Sequence, residues 1–457
     1  MNYKLTLLLI VSASFVLGII YIIIIPPWQS PDEPTHFEYV KLMAEGEPPW
    51  DPHPRPKLQE EIIVSLSHYD YWRYLLVEKP YPLPSTFKDT PFLFAAPSQI
   101  GKNPPIYYWL ASWLLRLPSN LPIEVEFYRL RTLSLLFSIL TIVFVWACAG
   151  EIFGRFSPVC PAAAGITALL PQFMVIGTSV SPDPCVNFFG AGALYLIIRF
   201  QKRGFTSLRI LFLILWHGIG LLVNYKFLIL IGVLPGVVLI HLCLRQSRTF
   251  PLKKLLLWSG VLIVILLISY AGLVWYFPRI ARIFIIRINI LYSTISTYFQ
   301  GETCSPPGYW LWFSLEVFKS FWLKYGWLTY ELPLFFYRIL QIASLIPLSG
   351  LVLFLGKIII GKNGRVGPAR EGILTLIFYA SATLGAYYLF WGLKVTGTTT
   401  QGRHLFIVMP AWAILFIFGW IQFFPARFEK AVSLVLLSGF VLFTFISICF
   451  FILPSFC

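Results

Sequence analysis

The residues most able to do chemistry stand close to the start of the chain. Pro31-Asp32-Glu33-Pro34-Thr35-His36-Phe37 holds an acidic pair between two prolines. Proline fixes its own φ and restricts the residue before it, so the backbone on both sides of the pair is narrowed. A carboxylate held this way could take a proton from a hydroxyl group. The same pattern also suits a helix start. Pro34 fits a first turn, Asp32 an N-cap, and Phe37, Tyr39, Val40 and Met43 follow at helical spacing. Pattern alone leaves capping and chemistry equally open. At Asn103-Pro104-Pro105-Ile106-Tyr107-Tyr108-Trp109 a proline-fixed turn meets an aromatic run, which physical reasoning alone reads as a membrane-interface anchor. Asp183 follows Ser181-Pro182 between two apolar runs, where a helix cap is again a sufficient explanation.

The elements that must position these residues are apolar. Of 457 residues, 58% are hydrophobic, 18% aromatic and only 12% charged, against about a quarter charged in soluble domains. Runs of roughly 20 apolar residues, enough to cross a bilayer, recur along the whole length. An all-α integral membrane protein follows. The net charge of +15 sits in short Lys/Arg clusters between apolar runs, which is the pattern that sets membrane orientation. No basic tract with interleaved aromatics is present, so a nucleic-acid partner is excluded, while membrane lipids and anionic lipid phosphate remain as partners. Cys148, Cys160, Cys185, Cys243, Cys304, Cys449 and Cys457 show no CxxC spacing and read as small apolar residues, with Cys304 alone in a polar stretch. The first apolar run, Leu5 to Ile25, is too long for a signal-peptide core and reads as an uncleaved span.

Charge alternation then predicts a polytopic bundle of about eleven transmembrane helices, one domain over 1–457, with the N-terminus cytoplasmic. After the first span come Leu130–Ala149, Ala162–Thr178, Asn187–Ile198, Leu211–Leu222, Phe227–Leu244, Leu255–Phe277, Leu334–Leu355, Ile373–Trp391, Leu405–Ile421 and Ala431–Ile452. Large extracytoplasmic segments are expected at 26–129 and 278–333. Ile106–Leu117 is too short to span and reads as an interfacial helix. On this map the acidic loop, Ser181-Pro182-Asp183, Lys324-Tyr325-Gly326-Trp327 and Gln401-Gly402-Arg403-His404 all emerge on one face.

Taken in order, the Pro31–Phe37 motif after a first span, Asn103–Trp109 before the next, the Arg129–Ile142 stretch and Ser181-Pro182-Asp183 resemble the lipid-linked-sugar-dependent glycosyltransferases of the GT-C fold. Within that superfamily the chain is similar to a bacterial family of multispanning proteins that share PDEP-x-HF, an FGW-like segment and a QGR-Y-like motif. The resemblance covers nearly the full chain. It departs at His404, where Tyr is usual, and at Asn103, where many relatives have His.

The resemblance implies an inverting glycosyltransferase of the cytoplasmic membrane. It would use a polyprenyl-phosphate sugar donor and an extracytoplasmic glycan, lipid or protein acceptor. Asp32 takes the role of general base, with Glu33 its nearest substitute. Asp183 would orient the acceptor or support a divalent cation with Asp32; no Asp-x-Asp pattern stands there and no metal is assigned. The departing phosphate calls for cations: Arg403 first, on a short Gly-flanked loop, then Lys324, Lys102 and Arg279. Substrate contacts fall on His36, Asn103, Tyr107, Tyr108, Trp327, Gln401 and His404. Three other classes compete. A secondary transporter predicts internal repeats and ionisable residues deep in spans, of which only His217 and Lys226 are notable. A hydrolase or polysaccharide ligase could use paired carboxylates. A non-catalytic role in envelope assembly needs none of this chemistry.

Overall fold

A computed structural model of the chain describes residues 3–47, 55–90, 103–116, 121–245, 308–360, 369–392 and 400–456. Lys102, Arg279, the predicted span Leu255–Phe277 and the first part of the 278–333 segment lie outside the described residues. Helix α1 (Tyr3–Ile24) carries Leu5, Leu8, Leu9, Phe15 and Ile23 exposed on its surface, as a lipid-facing span requires. Four helices follow in the first loop: α2 (Glu33–Ala44), α3 (Pro56–His68), α4 (Tyr71–Tyr74) and α5 (Ile106–Arg116). Helix α5 buries Tyr107, Tyr108, Ala111 and Ser112 and exposes Trp109, Leu110, Trp113 and Leu114. The exposed face of α5 therefore carries both of its tryptophans.

Helix α6 (Ile123–Phe153) runs 31 residues, starting before the expected boundary at residue 129. Its polar first turns stay helical because Glu126 pairs with Lys41 at 2.7 Å and Arg131 pairs with Glu33 at 3.2 Å inside the protein. The expected span Ala162–Thr178 is broken. Helices α7 (Val159–Leu169) and α8 (Pro171–Gly177) bend by 64° across Leu170, where Pro171 has no N–H to continue the ladder. The expected short span Asn187–Ile198 is in fact α9 (Asp183–Arg203), 21 residues long and buried over most of its length. Helices α10 (Ser207–Val223) and α11 (Phe227–Arg245) pack beside it.

Beyond residue 307, α12 (Tyr309–Trp322) leads into a small antiparallel hairpin, β1 (Lys324–Tyr325) with β2 (Tyr330–Glu331). Helices α13 (Leu334–Ile359) and α14 (Arg370–Trp391) follow, then a 3-10 segment (Gly402–Val408), α15 (Met409–Ile421) and α16 (Glu429–Ile446). Among the described residues six segments are long and apolar enough to cross a membrane, or seven with the bent α7–α8 pair. The chain is a multi-pass helical membrane protein, and the count of about eleven spans expected from charge alternation is not confirmed among the described residues. Helix α10 has only 17 residues, and α9 carries the polar Asp183, Asn187 and Arg199 along its length.

Candidate functional site

Asp32 introduces α2 with φ 67° and ψ 2°, a left-handed conformation that is uncommon for a residue with a side chain. The helix is started by its backbone carbonyl, which accepts from His36 N at 3.0 Å and from Thr35 Oγ1 at 3.0 Å. The side chain makes no capping bond, so capping does not account for its carboxylate. It is instead 30% exposed, and Arg403 Nη2 stands 3.4 Å from its Oδ2. Arg403 Nε lies 3.4 Å from Asp183 Oδ2, and Asp183 Oδ1 pairs closely with Lys226 Nζ. Asp32, Arg403, Asp183 and Lys226 thus form a line of alternating charge in which only the Asp32 end opens outward. Burial strengthens each step, because low dielectric magnifies attraction between charges that water cannot screen.

Local packing explains how Arg403 reaches this position. Gly402 N donates to Ser320 Oγ at 2.8 Å, and a Cβ on Gly402 would collide with the α12 backbone at Val317 and Phe321. On the other side, a Cβ on Gly190 of α9 would collide with the Ile407 carbonyl. The Gly402–Val408 segment is therefore wedged between α9 and α12, with Gln401 N donating to Tyr387 Oη at 2.7 Å. Asp183 is fixed as the first residue of α9. Lys226 sits in the turn between α10 and α11, where its backbone N donates to Asn224 Oδ1 at 3.0 Å. Nothing in the sequence pattern connected Lys226 to Asp183, 43 positions away.

Glu33 is placed differently from Asp32. It is fully buried, and its carboxylate accepts from Ser30 N at 3.1 Å, Val180 N at 2.9 Å and Arg131 Nη2 at 3.2 Å. Arg131, itself buried, also donates to the carbonyls of Ile22, Ile25 and Pro26. The pair ties the end of α1, the acidic loop, α6 and the turn before Asp183 together. Its geometry is that of a clamp, with no lone pair directed outward. Arg131 was within a motif recognised in the sequence but was not singled out there.

The remaining candidates divide. His36 Nδ1 meets Tyr108 Oη at 2.8 Å, and Asn103 Nδ2 donates to the same hydroxyl at 3.1 Å. Burial holds His36 down at about 4 against the opposing pull of Asp32, so at neutral pH it is an uncharged hydrogen-bonding group. Tyr39 stacks on Tyr108 with centroids 3.8 Å apart, and Tyr107 is buried beside it. Trp327, with φ 57°, is bound to the acidic loop: its N donates to Gln29 O at 3.2 Å and its Nε1 to Trp28 O at 2.9 Å. Lys324 is committed elsewhere, with Nζ 2.6 Å from Glu316 and 3.5 Å from Glu331. His404 lies in the same 3-10 segment as Arg403, its ring 5.6 Å from that of Tyr387. Two residues beyond His36, buried Glu38 accepts from Gln59 Nε2 at 2.7 Å, and burial pushes its carboxyl up to about 7.

The array can accept a proton at Asp32 and present two cations held by Asp183. As a metal site it fits poorly. A guanidinium stands between the two carboxylates, and among the described residues no group of three or more His, Cys, Asp and Glu side chains gathers. Leu405, two residues beyond Arg403, lines an apolar cavity of about 520 Å³ together with Met409, Trp412, Val317, Phe321 and Leu351.

Comparison with known proteins gives three findings. The family profile of dolichyl-phosphate-mannose-protein mannosyltransferases matches residues 102–275. No curated protein matches the chain's sequence. Among solved structures, the Archaeoglobus fulgidus oligosaccharyltransferase superposes in its apo form with a TM-score of 0.54 at 13% identity, over 96% of this chain and 55% of that one. Its complex with Zn and sulfate gives a TM-score of 0.52 at 13% identity, over 96% and 52%. The chain thus spans about half the length of that protein. ArnT from Cupriavidus metallidurans bound to undecaprenyl phosphate aligns with a TM-score of 0.45 at 14% identity, over 98% of this chain and 73% of that one.

Proposed function

We propose that this multi-pass membrane protein, which has the fold of the GT-C glycosyltransferase superfamily, transfers a sugar from a polyprenyl-phosphate donor to a hydroxyl on the extracytoplasmic side of the cytoplasmic membrane. The observation that carries this reading is the Asp32–Arg403–Asp183–Lys226 array standing next to an apolar cavity that starts two residues beyond Arg403. A lipid-linked sugar phosphate needs those two environments side by side, one for the isoprenoid chain and one for the phosphate.

In this reading Asp32 takes the proton from the acceptor hydroxyl. The oxygen attacks the anomeric carbon from the face opposite the phosphate, and the bond from that carbon to the phosphate oxygen breaks with its electron pair leaving on the phosphate. A single displacement of this kind inverts the anomeric centre. The phosphate gains negative charge as it departs, and Arg403 and Lys226 offset that charge. No general acid is required, because phosphate is a stable anion. Asp183 is the positioning residue, since it holds both cations and cancels their mutual repulsion while the site is empty of phosphate. Glu33 and Arg131 hold the loops that carry Asp32 and Asp183.

The test is turnover by the purified full-length protein with a panel of polyprenyl-phosphate sugars, read as release of polyprenyl phosphate. Asp32→Asn is expected to lower the rate by about 10²–10⁴-fold, the usual contribution of a general base, while binding of polyprenyl phosphate persists. Unchanged turnover in a folded Asp32→Asn protein would overturn the assignment. Transport of a solute without chemistry would favour the transporter class.

A further inference from the structure

Buried polar atoms without partners are rare in folded proteins, and each one asks for an explanation. Several occur beside Asp32 on the acidic loop and the elements packed on it. Gln29 is 1% exposed, yet both its Nε2 and Oε1 lack a hydrogen-bond partner among the described residues. Ser30 Oγ and Tyr71 Oη are equally buried and equally unpartnered. By contrast, the backbone here is well satisfied. Gln29 O accepts from Trp327 N, Ser30 O accepts from Glu33 N, and Ser30 N donates to Glu33. The chain has been fixed firmly while these side-chain atoms remain unpaired.

The atoms share one neighbourhood. Gln29 and Ser30 precede Asp32 in the same tight turn, and Trp327 bridges from Gln29 to Tyr71, its ring set edge-on at 5.7 Å from the tyrosine ring. Tyr71 also feels Asp32. After burial itself, the Asp32 charge is what pushes the Tyr71 phenol above its ordinary value. Arg403 touches both Asp32 and Asp183 and Lys226 lies beyond Asp183, but neither cation makes a hydrogen bond to the side chains of Gln29, Ser30 or Tyr71. The phosphate-binding cations are therefore not the partners these atoms await.

We infer that Gln29, Ser30 and Tyr71 form the acceptor subsite, and that the acceptor is a sugar, whose ring hydroxyls complete their hydrogen bonds while Trp327 offers an aromatic face. The inference rests on the glycosyltransferase reading and names the class of its acceptor. An amide, a phenol and a hydroxyl supply donors and acceptors in the mixture that vicinal hydroxyls require. An apolar acceptor would leave the same atoms unpaired, which is how such a site rejects the wrong molecule.

The test uses two readouts that do not depend on turnover. In the full-length protein without substrate, Tyr71→Phe and Gln29→Leu each remove unpaired atoms, so each is expected to raise Tm, by about 2 °C or more. With methyl glycosides as probes at millimolar concentration, the unmodified protein is expected to show a Tm increase with at least one sugar, and both variants to lose it. Overturning results are a glycoside response that survives in both variants, no response to any glycoside in the unmodified protein, or a response to short hydroxyl-bearing peptides alone. If Asp32→Asn leaves turnover intact while the variants lose the glycoside response, the subsite stands and the catalytic reading falls.

Discussion

Replacing Glu33 by Gln is the most informative single perturbation of stability. The carboxylate is completely buried and accepts from Ser30 N at 3.1 Å, Val180 N at 2.9 Å and Arg131 Nη2 at 3.2 Å. Ser30 donates to Oε2 and Val180 to Oε1. An amide keeps only one oxygen, so whichever way it turns, one backbone N–H faces an NH2 group. Arg131, 1% exposed at its side chain, meanwhile loses its counter-charge. Breaking a buried pair from one side costs about 3–5 kcal/mol because the surviving charge stays buried. That is a large share of a typical stability of about 5–15 kcal/mol. Reversible unfolding in mixed detergent micelles is the assay, run on Glu33→Gln, Arg131→Met and the pair together. Each single change is expected to destabilise by at least 3 kcal/mol, and the double mutant to cost clearly less than their sum, since the two residues act on one another. Additive losses, or a Glu33→Gln protein within 1 kcal/mol of the original, would refute the clamp.

Further outcomes are expected at other positions. Lys226→Met should weaken binding of polyprenyl phosphate about 10–100-fold, the worth of one charged hydrogen bond, measured by titration in nanodiscs; unchanged affinity would remove Lys226 from the phosphate site. Glu38 titrates at about 7 in the folded protein against 4.5 in its unperturbed state. The folded state therefore binds the proton more tightly, and its stability contribution is full below pH 4.5 and lost as pH rises through 7. Glu38→Gln should then stabilise the protein at pH 8, by up to about 3 kcal/mol, with the gain vanishing near pH 4.5. Melting curves at the two pH values check the sign.

Much of the fold was legible because bilayer constraints act on composition. A long apolar run must be a helix, and α1, α13, α14 and α16 lie where hydropathy put them. Boundaries failed where polar groups are satisfied inside the protein. Helix α6 begins at Ile123 because Glu126 and Arg131 have buried partners. The α7–α8 bend was missed although Pro171 was visible in the sequence, because proline alone does not say whether a membrane helix kinks or breaks.

For the candidate site, residue type and order made Asp32, Asp183 and Arg403 candidates for the polar chemistry of an otherwise apolar chain. The residues themselves did not separate Asp32 from Glu33, which are adjacent and chemically alike; only the family resemblance ranked Asp32 first. Tertiary structure separates them, because one side chain points out beside Arg403 and the other is enclosed by Arg131 and two backbone amides. It also brought Lys226 to Asp183 and committed Lys324 to Glu316. These pairings depend on which helix ends meet across the bundle. Sequence specifies that a buried charge needs a partner; only the packing of distant helices decides which partner is within reach.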